Sequence, residues 1–282
     1  MKIIILGASG LLGNTFYDYF NKKKLKKKDI YFTLRESKKS FLFFDANKQK
    51  TFEDLYNLNP DFIINCIGVI KPHINENSIQ SIMNAFKINS ELPKLLNFRF
   101  PKSRIIHFNT DCVYNGFEGG YFEDAPHSYD DIYGMSKSLG EIYSDMIMNI
   151  RCSIIGREKN SCLSLLSWFL KNKSKQIDGY INHYWNGLTT NSLVKIVDGI
   201  ISNNLFRPGK FHIIPKDKVS KYDMLEIFNK KFHKNKHVNK VCHEKKIDRS
   251  LNTNFKDFNK ILWNYGGYDD IPTIEEMINE IN

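Results

Sequence analysis

Nowhere in this sequence do two cysteines form a C-x-x-C pair, and none of Cys66, Cys112, Cys152, Cys162 and Cys242 takes a metal-ligand spacing with the histidines. That argues against a zinc module or a disulfide framework, and we expect reduced core thiols and no metal. No apolar run reaches the length of a membrane span, and Met1 leads straight into a strand-like segment without a basic, apolar and small-residue leader. A soluble, cytoplasmic protein with no membrane partner is expected. Internal repeats are lacking. Acidic residues are outnumbered, 31 against 41 basic ones, for a net charge of +10. Such an excess suits anionic ligands such as nucleotides. Much of it sits in solvated runs, Lys22 to Lys28 and Lys230 to Lys240, so nucleic acid is not expected as a partner.

What is present is a globular composition, 41% hydrophobic and 26% charged over 282 residues, enough for one large domain or for one domain carrying a smaller cap. Lys2 to Leu6 is a β-branched run of the kind that a strand buried on both faces requires. It enters Gly7-Ala8-Ser9-Gly10-Leu11-Leu12-Gly13, after which the spacing is helical. Glycines at a strand-to-helix turn meet the needs of a dinucleotide: a tight bend, backbone close to the pyrophosphate, and close helix packing. The second strand, Ile30 to Leu34, ends at Arg35, where NAD-preferring folds place an acid. An arginine there suits a 2′-phosphate, so NADPH is the expected cofactor, with NADH as an alternative. Phe41 to Phe44 reads as a third strand ending in Asp45-Ala46, whose carboxylate could accept from the adenine amino group. Phe62 to Gly68 reads as a fourth, with Cys66, Ile67 and Gly68 passing near the nicotinamide half. Ile79 to Leu96 is amphipathic and carries Asn89, a candidate polar anchor or cofactor contact.

The run Arg104 to Phe108 delivers Asn109, Thr110 and Asp111 at a strand's carboxyl end, where open α/β sheets bind ligands. Some twenty residues on, Tyr133-Gly134-Met135-Ser136-Lys137 sets a phenol and an ammonium one helical turn apart. A nearby positive charge favours phenolate, so a lowered Tyr133 pKa is expected. Asp130 or Asp131 is the candidate N-cap of that helix. Strand and helix patterns alternate to about residue 155. The fold class expected is α/β: a doubly wound parallel-sheet Rossmann domain over residues 1–157, then a smaller α/β substrate-binding region over 158–282, some of whose elements return to the core. In that region Leu163, Leu166, Phe169 and Leu170 form a helical stripe with Trp168 as a core residue, Ser220 caps a helix through Phe232, and 230–246 reads as a solvated turn. Lys221 and Arg249 are candidates to hold a diphosphate.

The glycines at 7, 10 and 13, the Asn109-Thr110-Asp111-Cys112-Val113-Tyr114 strand end, Tyr133 with Lys137, the following Gly140-Glu141, and Asn149 to Gly156 with Arg151 resemble, in this order, the extended short-chain dehydrogenase/reductases. Within them the chain is most similar to the dTDP-4-dehydrorhamnose reductase branch, over roughly residues 1 to 215. The resemblance implies reduction of the 4-keto group of a nucleotide-activated 6-deoxyhexose for surface polysaccharide, with Thr110, Tyr133 and Lys137 catalytic. It also implies substrate contacts from Asp111, Cys112, Val113, Tyr114, Trp185, Asn186 and Arg249. Asn109 departs from the serine common in that branch, and Tyr184 to Thr190 lacks its proline. The sugar and the nucleotide are thereby left open between dTDP-4-dehydrorhamnose and a UDP-2-acetamido-2,6-dideoxy-4-hexulose. Rival readings are a cofactor-retaining epimerase or dehydratase and a non-catalytic NADP sensor. Segments 79–97 and 132–148 offer helix faces for a homodimer.

Overall fold

The computed structural model describes residues 1–23, 29–159 and 162–281; Lys24 and Lys26 to Lys28 of the first lysine run lie outside them. The first segments alternate as β1 (Lys2–Leu6), α1 (Leu11–Lys23), β2 (Asp29–Leu34), β3 (Leu42–Phe43), α2 (Gln49–Tyr56), β4 (Phe62–Asn65), α3 (Ile79–Phe86), α4 (Leu92–Arg99), β5 (Arg104–Asn109), α5 (Ile132–Ser138) and β6 (Ile147–Arg151). Then follow β7 (Ile154–Ile155), α6 (Leu165–Lys171), β8 (Gln176–Tyr180), β9 (His183–Trp185), β10 (Leu188–Thr189), α7 (Thr190–Ser202) and β11 (Gly209–His212). The chain finishes with β12 (Val219–Ser220), α8 (Lys221–Phe232), β13 (His237–Val241), β14 (Ile247–Asp248), α9 (Lys256–Tyr265) and α10 (Ile274–Asn279).

Two compact units result, and the chain passes between them more than once. Unit one holds residues 1–113, 129–151 and 206–211; unit two holds 114–128, 152–205 and 212–282. The sheet of unit one runs β11-β6-β5-β4-β1-β2-β3, and its ladders from β3 to β6 are all parallel. Leaving β11 aside, that is the 3-2-1-4-5-6 order of a doubly wound nucleotide-binding sheet, with the switch point between β1 and β4. The expected fold class holds. Its strands read as unbroken apolar runs because helices cover both faces. Ile3, Ile4, Ile5 and Leu6 of β1, Ile63 and Ile64 of β4, and Ile105 and Ile106 of β5 are fully buried. Leu92, Leu96 and Phe100 pack with Ile4, Leu6, Ile63, Ile105 and Ile147 in one apolar cluster.

Two helices are shorter than their sequence patterns suggest. The segment from Ile79 is interrupted by a π-helical turn, Lys87–Glu91, between α3 and α4. Pro93 has no N–H to return to the carbonyl four residues back, at Asn89, and the wider turn absorbs that loss while burying Asn89 and Ser90. Helix α5 stops at Ser138, so 132–148 is not one helix; Gly140 lies against the Asn89 carbonyl, where a Cβ would clash.

Unit two pairs β7 with β10, β9 with both β12 and β14, and β8 with β13. The parallel β8–β13 ladder corrects the solvated turn expected at 230–246: five residues pair in register and Val238 among them is buried. Ser220 and Asp223 form a capping box on α8, as its sequence suggested. Trp168, expected in the core, is 39% exposed, because so short a helix as α6 buries only Leu166, Ser167 and Phe169. Of the cysteines only Cys152 is buried; Cys66 and Cys112 are half-buried, and Cys162 and Cys242 are exposed.

Candidate active site

The glycine turn is built by backbone approach. Gly7 has φ +82°, a left-handed value that a side chain disfavours, and its N–H donates to Thr33 Oγ1 at 3.2 Å. Gly10 N–H returns to Gly7 O at 3.1 Å, which folds the chain back before α1 begins at Leu11. Gly13 packs so tightly on this bend that a Cβ there would stand 2.7 Å from the Gly7 carbonyl carbon. The cradle therefore leaves backbone N–H groups and a helix N-terminus facing one place, with Ser9 and Gly10 exposed and Leu12 buried beneath. Arg35 follows β2 and is exposed; Asp45 and Ala46 follow β3, and Asp45 Oδ1 accepts from the Asn47 N–H at 3.0 Å.

Beyond β4 the turn Cys66-Ile67-Gly68 is held from two sides. Asn65 Oδ1 accepts the Ile67 N–H at 3.1 Å. Asn89 clamps the next residue, accepting from Val69 N–H at 2.8 Å and donating to Val69 O at 2.9 Å, while its Nδ2 also reaches Ser136 Oγ on α5 at 3.0 Å. Asn89 is thus the polar anchor of this turn. Gly68 is exposed, and a Cβ on it would come 3.5 Å from Asn89 Oδ1 and 4.0 Å from Lys137 Nζ, so these three elements meet. Burial pushes the Cys66 thiol well above its usual pKa, which makes it an inert lining group.

At the carboxyl end of β5, Thr110 is buried and Asp111–Val113 makes a single 3₁₀ turn. Thr110 Oγ1 donates to Asp111 Oδ1 at 3.2 Å and accepts from the Cys112 N–H at 3.2 Å. Asp131 caps α5, accepting from Gly134 N–H at 2.8 Å, and so fixes the helix that carries Tyr133 and Lys137. The Thr110 hydroxyl lies close enough to the Tyr133 phenol to act on its pKa, so two hydroxyls are neighbours at this strand end. Lys137 is 6% exposed, and its ammonium donates to Phe108 O at 2.7 Å.

The electrostatics correct one expectation. Burial raises the Tyr133 pKa, the neighbouring Cys112, Asp111 and Asp131 raise it further, and only the nearby Thr110 hydroxyl pulls it down. Desolvation of the phenolate, not the Lys137 ammonium, decides the direction. Tyr133 is a neutral acid at physiological pH.

The remaining residues singled out from the sequence lie in unit two. Tyr114 is fully buried, donates to Phe122 O at 2.9 Å and stacks on Tyr121 with centroids 4.1 Å apart. Trp185 Nε1 donates to Ser153 Oγ at 2.9 Å, and Asn186 exchanges hydrogen bonds with the Leu251 backbone at 2.7 and 2.8 Å. Arg249 Nε donates to Tyr114 O at 2.8 Å.

Sequence reasoning missed a polar ladder beneath the site. Asn65, His107 and Asn149 are register partners across β4, β5 and β6, and all are buried. Because Asn65 Oδ1 is taken by Ile67, its Nδ2 faces His107 Nδ1, at 3.1 Å. The ring accepts that bond and carries its proton on Nε2. Burial, reinforced by the Lys137 charge, holds the His107 pKa well below the ordinary imidazole value. The available signal was a polar residue inside each of three largely apolar runs.

Residues 1–252 match the family model described as the RmlD substrate binding domain. A search of curated protein sequences found no match. Among solved structures the chain is similar to dTDP-4-dehydrorhamnose reductase of Bacillus anthracis in complex with NADP, with TM-score 0.80 and 19% identity over 99% of this chain and 98% of that one. The Clostridium acetobutylicum dTDP-4-dehydrorhamnose reductase gives 0.79 and 19% over the same shares, and a hypothetical dTDP-4-dehydrorhamnose reductase of Sulfolobus tokodaii gives 0.78 and 21% over 98% of each chain. At that identity the structures speak for the fold, and the match that spans most of the chain speaks for the family. With a doubly wound sheet, a glycine cradle and a threonine–tyrosine–lysine group at the end of β5, the chain belongs to the RmlD substrate-binding family, a branch of the extended short-chain dehydrogenase/reductases and hence of the NAD(P)H-dependent oxidoreductases.

Proposed function

We propose that this protein reduces the 4-keto group of a nucleotide-activated 6-deoxyhexose, either dTDP-4-dehydrorhamnose or a UDP-2-acetamido-2,6-dideoxy-4-hexulose, in the cytoplasm, for surface polysaccharide. The observation that carries the reading is the buried Thr110 at the end of β5 beside the helix of Tyr133, with Lys137 of that helix fixed on the Phe108 carbonyl of the same strand. NADPH fits the cradle of Gly7, Ser9, Gly10, Leu11, Leu12 and Gly13, which has no room for a Cβ at Gly13, and the exposed Arg35 suits a 2′-phosphate better than a bare ribose does. Asp45 and Ala46 would face the adenine, and Cys66, Ile67, Gly68, Tyr133 and Lys137 the nicotinamide half, with Asn89 holding the turn that carries Gly68. The NADP complex of the Bacillus anthracis relative supports this cofactor, and NADH is the alternative.

When bound, the nicotinamide supplies the hydride. Tyr133, kept protonated by burial, gives its proton to the ketone oxygen as negative charge develops there. Thr110 offers a second hydrogen bond to that oxygen, and Lys137 lends positive potential behind it. Asp111, Cys112 and Val113 flank the same strand end and would touch the sugar; from unit two we assign Tyr114, Trp185, Asn186 and Arg249 to the substrate set.

The test is a panel of dTDP-, UDP- and GDP-linked 4-keto-6-deoxy sugars followed by NADPH absorbance, with product stereochemistry by NMR. One NADPH consumed per sugar supports the reading. Conversion of sugar with no net NADPH loss points to an epimerase or dehydratase, and tight NADPH binding without any turnover points to a sensor.

A further inference from the structure

Asn109 stands at the end of β5, and its short side chain makes three bonds at once. Nδ2 donates to Glu141 Oε1 at 2.6 Å and to Lys137 O at 3.2 Å, and Oδ1 accepts the Thr110 N–H at 2.9 Å. The amide orientation is forced: flipped, its oxygen would face a carboxylate and a carbonyl, and its nitrogen an N–H. Residue 108 completes the grip, because the Phe108 carbonyl takes the Lys137 ammonium at 2.7 Å. The dipeptide Phe108-Asn109 therefore holds Lys137 by the tip of its side chain and by its main-chain oxygen. That oxygen, in the last turn of a short helix, also accepts the Gly140 N–H at 3.0 Å, so the Asn109 amide is its second donor. Behind Asn109 the anchor is rigid. Glu141 is engaged in a two-pronged pair with Arg151, Nε to Oε1 at 2.9 Å and Nη2 to Oε2 at 2.7 Å, with side-chain exposures of 4% and 1%.

We propose that Asn109 is a positioning residue that sets Thr110 and Lys137 through one side chain, with the Glu141–Arg151 pair as its fixed base. This inference rests on the reading above that Thr110, Tyr133 and Lys137 are the reacting set. A serine at 109 has one donor and a shorter reach, so it cannot bond the Glu141 carboxylate and the Lys137 carbonyl together. An aspartate would place a second carboxylate against Glu141. Neither change touches the glycine cradle.

The experiment compares the full-length protein with Asn109→Leu and Asn109→Ser. NADPH dissociation constants, substrate KM and kcat per NADPH-binding site are measured, together with the Lys137 ammonium resonance in 15N-lysine-labelled protein, assigned by its loss in Lys137→Arg. Expected for Asn109→Leu is a kcat lowered roughly tenfold to a hundredfold, the scale of a catalytic group displaced by about 1 Å. NADPH affinity and KM should stay within about threefold of the parent, since a positioning defect acts on the reacting geometry and not on uniform binding. Asn109→Ser should fall between the two, and it serves alone if the leucine variant does not fold. The signal of the Lys137 ammonium, held on the Phe108 carbonyl, should be sharp in the parent and broaden or shift in both variants. An unchanged kcat and an unchanged ammonium signal overturn the proposal. So does a parallel loss of NADPH binding, KM and kcat, which would mark a purely structural residue. If the parent turns over none of the sugars, the functional reading fails, and the ammonium signal alone still decides whether Asn109 sets Lys137.

Discussion

Acid should unfold this protein through His107, and the size of the effect follows from its surroundings. The ring is 1% exposed, accepts from Asn65 at its Nδ1, and lies near the Lys137 charge, so it stays neutral in the folded state. Protonation would convert the accepting nitrogen into a donor facing the Asn65 NH2 and would bury a second cation. In the unfolded chain the same imidazole titrates near 6.5. Its folded pKa is depressed, so the unfolded state takes up more protons on acidification, and stability present above pH 6.5 is lost as pH falls below it. The loss is about 1.4 kcal/mol per pH unit while the folded ring stays neutral, hence roughly 2 kcal/mol by pH 5. His107→Gln keeps an acceptor for Asn65 and removes the titration. Urea unfolding of ligand-free protein at several pH values between 7.5 and 5, followed by circular dichroism, should show the gap between parent and variant closing or reversing by about 2 kcal/mol as pH drops. Two parallel stability curves would refute the assignment.

Tyr133→Phe removes the proton donor and keeps the ring; NADPH titration should be unchanged while turnover falls roughly a hundred- to ten-thousandfold. Gly13→Ala drives a Cβ onto the Gly7 carbonyl, and isothermal titration should show NADPH binding lost while far-ultraviolet circular dichroism keeps its helical signal. Arg35→Ala should weaken NADPH about tenfold to a hundredfold and leave NADH nearly untouched, a ratio that steady-state kinetics with both cofactors reads directly. Glu141→Ala removes the two-pronged carboxylate partner of the buried Arg151 guanidinium and should cost roughly 3 kcal/mol in urea unfolding.

The sheet was legible in the sequence because its parallel strands are covered on both faces, which leaves runs such as Lys2 to Leu6 and Arg104 to Phe108 almost purely apolar. The glycine turn was legible because Gly7 is demanded by its own left-handed φ and Gly13 by contact with Gly7 six residues back, both local requirements. Tyr133 and Lys137 were found by spacing, yet spacing reports adjacency and is silent on solvation, so the direction of the phenol shift came out reversed. What Lys137 holds, the carbonyl of Phe108, was hidden for another reason: main-chain acceptors leave no mark on composition. The interruption at Lys87–Glu91 had a visible cause in Pro93, but a π turn keeps the amphipathic pattern running through it. The strand at His237–Val241 depends on pairing with Gln176–Tyr180, a partner that local pattern cannot supply. Asn65, His107 and Asn149 looked like isolated polar interruptions until strand register aligned them.

One edge of the main sheet has a consequence for anyone trimming this protein. The outermost strand beside β6 is supplied by residues that arrive long after the other six, and Phe206, just ahead of it, stacks edge-on against Phe62 at 5.9 Å under the guanidinium of Arg104. A fragment ending at Arg151 would look like a complete nucleotide-binding module on paper, yet it would bare a row of ladder donors and acceptors along a strand whose five residues are all buried. Such an edge recruits other chains. The first half of this polypeptide, made alone, should precipitate rather than fold.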